Sequence, residues 1–139
     1  MCARVLTDTA TIVIFDSTRL ASRRNDECDW WTGQGDLEHE EAQENLAFVE
    51  TGKDGVFNVE VIVDTTAPAD SVLKRSFLEL PSGELLFGGG ECLPGEGVLR
   101  SRNVQSLGVP AGRYTVVVVR TDCSNERYCF YLSPTMAKP

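Results

Sequence analysis

The sequence is short of the residues and patterns from which reactive sites are built. It contains one histidine, His39, so any Ser-His-Asp or Cys-His mechanism must use that imidazole with a nucleophile brought from elsewhere. No GxSxG elbow supplies such a nucleophile. There is no HExxH pair for zinc, and no loop of alternating oxygen ligands and glycine for calcium. The glycine-rich "GGGECLPGEG" has no GK[ST] ending and leads into no predicted helix, so the phosphate-cradling P-loop lacks its parts. Among 21 acidic residues, nothing singles out two for glycoside chemistry. The expectation is no catalytic residue, no metal and no cofactor, and a chain that leans away from being an enzyme.

Long apolar runs are missing as well. "TIVIF" and "YTVVVV" fall far short of the roughly 20 residues that span a bilayer. Arg4 and Asp8 stand where a secretory leader would place its apolar centre, which predicts a cytoplasmic chain. No CxxC occurs, and the five cysteines, Cys2, Cys28, Cys92, Cys123 and Cys129, are odd in number and irregular in spacing. Reduced thiols fit that pattern. "CSNERYC" leaves a bridge between Cys123 and Cys129, at the mouth of a hairpin, as an alternative.

Positive charge is scarce: 13 Lys and Arg stand against 21 Asp and Glu, a formal net charge of −8. Phosphate backbones and anionic lipid are repelled by such a chain, so neither nucleic acid nor membrane is expected as a partner. The small patch of Arg19, Arg23 and Arg24 does not reverse this. A basic protein or a cation fits better.

What the sequence does have is alternation. At 139 residues, with 42% hydrophobic and 24% charged, it suits one folded domain spanning 1–139 with a core of its own. "LTDTATIVIFD" (residues 6–16) puts Ile12 and Ile14 on one face and Val13 and Phe15 on the other, as in a central strand covered on both sides. Ser17 is placed to cap a short helical turn carrying Leu20 and Ala21. "NLAFVETGKDGVFNVEVIVD" predicts two strands joined as a hairpin through Gly52, Asp54 and Gly55, with Phe57, Val59, Val61 and Val63 on one buried face. "LKRSFLELPSGELLFGGG" predicts a second hairpin around Pro81, Ser82 and Gly83. "VPAGRYTVVVVRTDCSNERYCFYLSP" predicts a third, in which Tyr114 packs its ring and bonds its hydroxyl to the backbone. "GGGECLPGEG" reads as a loop or bulged edge. With six or more strands, no amphipathic helix of 10 to 15 residues, no repeat and no linker, the expected class is all-β: an antiparallel β-sandwich or partly open barrel with at most one short helix.

The densest chemistry lies in "DWWTGQGDLEHEEAQEN". Adjacent Trp30 and Trp31 on extended backbone point to opposite sides, so one anchors the core while the other meets solvent or a partner. The leading reading is a non-enzymatic protein-binding surface made of Trp30, Trp31, Asp36, Glu38, Glu40, Glu41 and Glu44, facing a basic protein. In the alternative, a helical "DLEHEEAQEN" places Asp36, Glu40 and Glu44 on one face beside His39 and makes a small enzyme or cation-binding site. A third reading is a structural or oligomerising domain that pairs through an edge strand at residues 84–87.

The stretch from Trp30 to Asp64 and the "PAGRY" strand together resemble the small bacterial all-β proteins of the ComJ-like competence family. The shared features are an early strand, a tryptophan-bearing loop followed by "GQGDLE", a strand like "ENLAFVETG", a "DG" turn and a late glycine-tyrosine strand, about half the chain in pattern. The resemblance implies an acidic β-sandwich that binds and restrains a nuclease, its charge imitating nucleic acid before a basic cleft. It transfers no individual functional residue.

Overall fold

In a computed structural model the alternating segments become strands that divide between two sheets. The structure describes residues 1–20, 23, 26, 30–32, 35–68, 72–94, 104–120 and 127–135. One sheet runs in the order β1 (Cys2–Thr7), β4 (Gly55–Val63), β9 (Arg127–Pro134), β8 (Gly112–Arg120), β5 (Val72–Leu80). The other runs β3 (Leu46–Glu50), β2 (Thr11–Asp16), β6 (Glu84–Gly89), β7 (Val104–Gly108). Every pairing is antiparallel except β4 with β9. One α-helix, α1 (Asp36–Ala42), is found among the described residues, so the class is an all-β sandwich with a short helix. No described helix is long and apolar enough to cross a membrane.

The main core forms where the two inner faces meet. Phe57, Val59 and Val61 of β4, Tyr114, Val116 and Val118 of β8, and Tyr128, Phe130 and Leu132 of β9 come from the five-stranded sheet. Ile12, Ile14, Ala47, Val49, Leu85 and Phe87 come from the four-stranded one. Each such side chain, withdrawn from water, stabilises the fold by about 1.5–3 kcal/mol before conformational entropy is counted. The alternate residues of the four-stranded sheet, Val13, Phe15, Leu46, Phe48 and Leu86, turn outward into a second cluster with Trp31, Leu37 and Leu93. That sheet is therefore a middle layer, roofed by α1 and its neighbours, and β2 is covered on both faces as expected. Tyr114 is buried and its hydroxyl donates to the Pro110 carbonyl.

This layering corrects several expectations. Residues 6–16 form no single strand: β1 and β2 lie in different sheets, and the chain turns between them through Ala10 at φ 54°. Neither the Gly52–Gly55 turn nor the Pro81–Gly83 turn closes a hairpin. Each carries the chain from one sheet to the other, since β3 pairs with β2, β4 with β1 and β9, β5 with β8, and β6 with β2 and β7. A turn sequence fixes a change of direction, whereas the partner is set by which faces need covering. β3 and β6 are apolar on both faces and belong in the middle layer; β4 and β5 present their apolar side inward and belong outside. The same logic places residues 84–87 inside the sheet between β2 and β7, not at an edge. The β8–β9 pair is the hairpin partner set expected, from Tyr114↔Pro134 to Arg120↔Tyr128.

At the end of β2 the turn is capped by Asp16, whose Oδ1 accepts from the Thr18 backbone N–H. The glycine-rich stretch is half strand: Gly88 and Gly89 end β6, and Gly90–Cys92 make one 3-10 turn. Ala21, Arg24, the connection at 121–126 and Cys123, with its possible bridge to Cys129, lie outside the described residues.

Candidate functional site

Gly35, at φ 86°, brings the chain into α1 in a left-handed conformation that costs a glycine little. The seven-residue helix has too few backbone bonds to hold itself and is anchored by Leu37, buried with Trp31 in the second cluster. The two tryptophans do differ in burial, but they sit on a 3-10 turn, Trp30–Thr32, and not on the extended backbone from which opposite faces are expected. Trp31 is buried against Gly90, where any Cβ would lie 2.6 Å from the indole. Trp30 is half-buried: its Nε1–H donates to the Pro94 carbonyl at 2.7 Å, and the Arg23 guanidinium sits 4.2 Å from its ring centroid.

The predicted acidic cluster separates into two populations. Glu40 is buried and accepts from Arg23 at 3.1 Å and from the Asn45 amide at 2.8 Å. Arg23 also donates to Asp26 at 3.0 Å; burial pulls its pKa down, but the hydrogen bonds it gives to the two carboxylates prevail and raise it. Glu41 accepts from the Phe48 backbone N–H at 3.2 Å and lies 2.8 Å from the Lys74 ammonium. Glu44, at φ 61°, pairs with Arg113, and its backbone carbonyl accepts from Glu79 N–H of β5 at 3.0 Å. Glu41 and Glu44 tie α1 and the turn after it to strands β3, β5 and β8, and Glu40 ties the helix to Arg23 and Asn45. Asp36 and Glu38 make no ion pair or side-chain hydrogen bond among the described residues, and Glu38 is exposed.

A cleft of about 350 Å³ opens between the end of α1 and β5, lined by Glu38, Glu41, Glu44, Ser76, Phe77 and Arg113. The Phe77 ring is 44% exposed, with the Arg113 guanidinium 4.2 Å from its centroid. An exposed aromatic beside unpaired and partly paired carboxylates is suited to receive a cationic or aromatic side chain from another protein. Sequence reasoning passed over Lys74, Phe77 and Arg113. The available signal was Phe77 itself, an aromatic residue on the strand face opposite Leu78 and Leu80.

The helix on which the alternative reading depends forms over Asp36–Ala42, short of the full "DLEHEEAQEN", and it does not gather the carboxylates around His39. The imidazole is exposed, Glu40 turns inward to Arg23, and Glu41 turns toward Lys74. Among the described residues no three His, Cys, Asp or Glu side chains converge in a metal-holding arrangement.

Two solved structures share this architecture. ComJ from Bacillus subtilis, described as an inhibitor of the DNA-degrading activity of NucA, superposes with a TM-score of 0.64 at 8% identity, covering 97% of this chain and 96% of that one. The protein described as crocagin biosynthetic gene J superposes with a TM-score of 0.61 at 18% identity, covering 98% and 96%. At these identities the likeness is one of fold, and at that level the ComJ-like resemblance is supported. No curated protein matches the chain in sequence. Residues 1–135 match the model of a family described as a family of unknown function (DUF6386), and the chain belongs to that family.

Proposed function

We propose that the chain is a non-enzymatic protein-binding module of the inhibitor type, and that its partner is a basic protein, a nuclease by analogy with ComJ. The observation that carries the reading is the unpaired carboxylate of Glu38 beside the exposed Phe77 at the α1–β5 cleft, with a second carboxylate, Asp36, without an ion pair among the described residues in the first turn of the same helix. In a chain of net charge −8 these groups draw a cationic surface toward the cleft. Glu41 and Glu44 line the same cleft and Trp30 flanks α1, while Trp31 and Glu40 hold the platform from beneath. In this reading residues 1–139 act as one cytoplasmic domain.

The test is inhibition of DNA degradation by a panel of purified basic nucleases. The wild type is expected to inhibit at least one. A double variant, Asp36→Lys with Glu38→Lys, is expected to inhibit about tenfold less well and with a weaker dependence on salt. Equal inhibition by both chains defeats the proposed surface, and no inhibition of any nuclease defeats the nuclease reading.

A further inference from the structure

On the far side of the sandwich from α1, the outer face of the five-stranded sheet carries three cross-strand rows fixed by register. Leu6 lies opposite Val56; Arg4 lies opposite Asn58, which lies opposite Arg127; Cys2 lies opposite Glu60, which lies opposite Cys129. Residues directly opposite one another project to the same side of a sheet, so each row is a set of neighbouring side chains. The rows meet at a groove of about 360 Å³ lined by Cys2, Arg4, Asn58, Glu60 and Arg127. Leu6 and Val56, 38% and 45% exposed, form an apolar shelf in the next row.

The charge in this groove is unbalanced in a particular way. Among the described residues Arg127 gives one N–H to Glu60 at 2.8 Å, and a guanidinium carries five donors in all. Arg4 is exposed and makes no ion pair or side-chain hydrogen bond among the described residues. The two arginines stand two strand spacings apart, about 10 Å at the backbone, close enough for their guanidinium groups to converge on one group above Asn58. Two converging cations repel until an anion separates them. Bidentate hydrogen bonding makes a carboxylate a well-matched occupant.

We propose that this groove is a carboxylate-binding site for an acidic peptide segment, with an Asp or Glu side chain held between Arg4 and Arg127 and an adjoining apolar side chain resting on Leu6 and Val56. The net charge of the chain selects between anions. A polyanion such as duplex DNA meets the repulsion of the whole molecule over many phosphates, whereas a short peptide presents one or two charges to a locally cationic spot. The site is independent of the α1 surface and stands or falls apart from it.

The experiment is a titration of the full chain with a fluorescent peptide of repeating Leu-Glu, followed by anisotropy, with a Leu-Gln peptide and a short DNA duplex as comparisons. Alkylation of Cys2, an exposed thiol in the groove, is measured by peptide mapping in the same samples. The Leu-Glu peptide is expected to bind and to slow Cys2 alkylation. Arg4→Gln, which breaks no internal pair, is expected to weaken binding by about tenfold or more, and Leu6→Ser is expected to weaken it with the unfolding midpoint unchanged. Absence of Leu-Glu binding, equal binding of the Leu-Gln peptide or of DNA, an unaffected Arg4→Gln variant, or an unprotected Cys2 would each overturn the proposal.

Discussion

Asp16 and Ser82 are joined across 66 residues of sequence: the Ser82 backbone N–H and hydroxyl both donate to Asp16 Oδ2, at 3.0 and 2.8 Å. The other oxygen accepts from the N–H and hydroxyl of Thr18, so a fully buried carboxylate ties the end of β2 to the chain crossing between the sheets. Burial pushes its pKa up, but the hydrogen bonds from Thr18 and Ser82 outweigh that and hold it below the ordinary 3.8. A carboxyl group whose folded pKa is depressed adds stability that is present above its unfolded pKa and is lost as the pH falls through the folded value. Asp16→Asn is therefore expected to cost about 2–4 kcal/mol at neutral pH, and to lose less further stability than the wild type between pH 5 and the region below about pH 3.8. Urea unfolding of both chains across that range measures it. Parallel acid dependence would show that other carboxylates govern the acid limb.

Gly90 is a packing position. A Cβ there would stand 2.6 Å from Cη2 and 2.8 Å from Cζ3 of the buried Trp31 indole. Gly90→Ala is expected to destabilise by about 1–3 kcal/mol through overpacking. Trp31→Phe removes the ring atoms that collide, so the double variant should be less destabilised than the sum of the two singles. A double-mutant cycle by urea denaturation reads the coupling directly; strict additivity would mean that the indole moves aside at no cost.

How much of this was legible in the sequence follows from the range of each interaction. Periodicity is local, so the faces of β2 and β4 and the β8–β9 pairing could be read from neighbours in the chain, whereas Trp30 and Trp31 stand on a 3-10 turn to which strand alternation does not apply. The Gly52–Gly55 and Pro81–Gly83 turns could not be resolved, because a hairpin and a sheet-to-sheet crossing begin with the same local reversal and differ only in distant partners. The acidic segment shows the same limit more sharply. Glu38, Glu40, Glu41 and Glu44 look alike in sequence, and only Arg23, Lys74 and Arg113, two of them from strands far along the chain, decide which three are internal clasps. The role of Gly90 was likewise hidden, since its indole neighbour is far away in sequence.

The thiols of Cys2 and Cys92 should differ in reactivity. Burial, with Glu91 alongside, pushes the Cys92 pKa up to about 12, so almost no thiolate is present near neutrality. Cys2 is exposed. Brief treatment of the native protein with iodoacetamide at pH 8 should label Cys2 and leave Cys92 intact, and labelling in urea should reach both. Rapid native labelling of Cys92 would reveal local opening of the 3-10 turn that holds it.

Lys74 is held in three ways: its ammonium lies 2.8 Å from Glu41, donates to the Phe48 carbonyl at 3.1 Å and sits 3.2 Å from the Phe48 ring centroid. The pair is largely shielded from water, and it bridges α1, β3 and β5, three elements that share no backbone ladder. Lys74→Met keeps much of the apolar stem but leaves Glu41 with the Phe48 N–H alone, so it is expected to cost about 1–3 kcal/mol. Asp36→Lys and Glu38→Lys disturb no such contact and should change stability by no more than about 0.5 kcal/mol each. Urea midpoints for the three variants separate the acidic residues that maintain the fold from those free to meet another protein. If Glu38→Lys proved as costly as Lys74→Met, the cleft would be a structural seam, and its loss of binding could no longer be assigned to the surface.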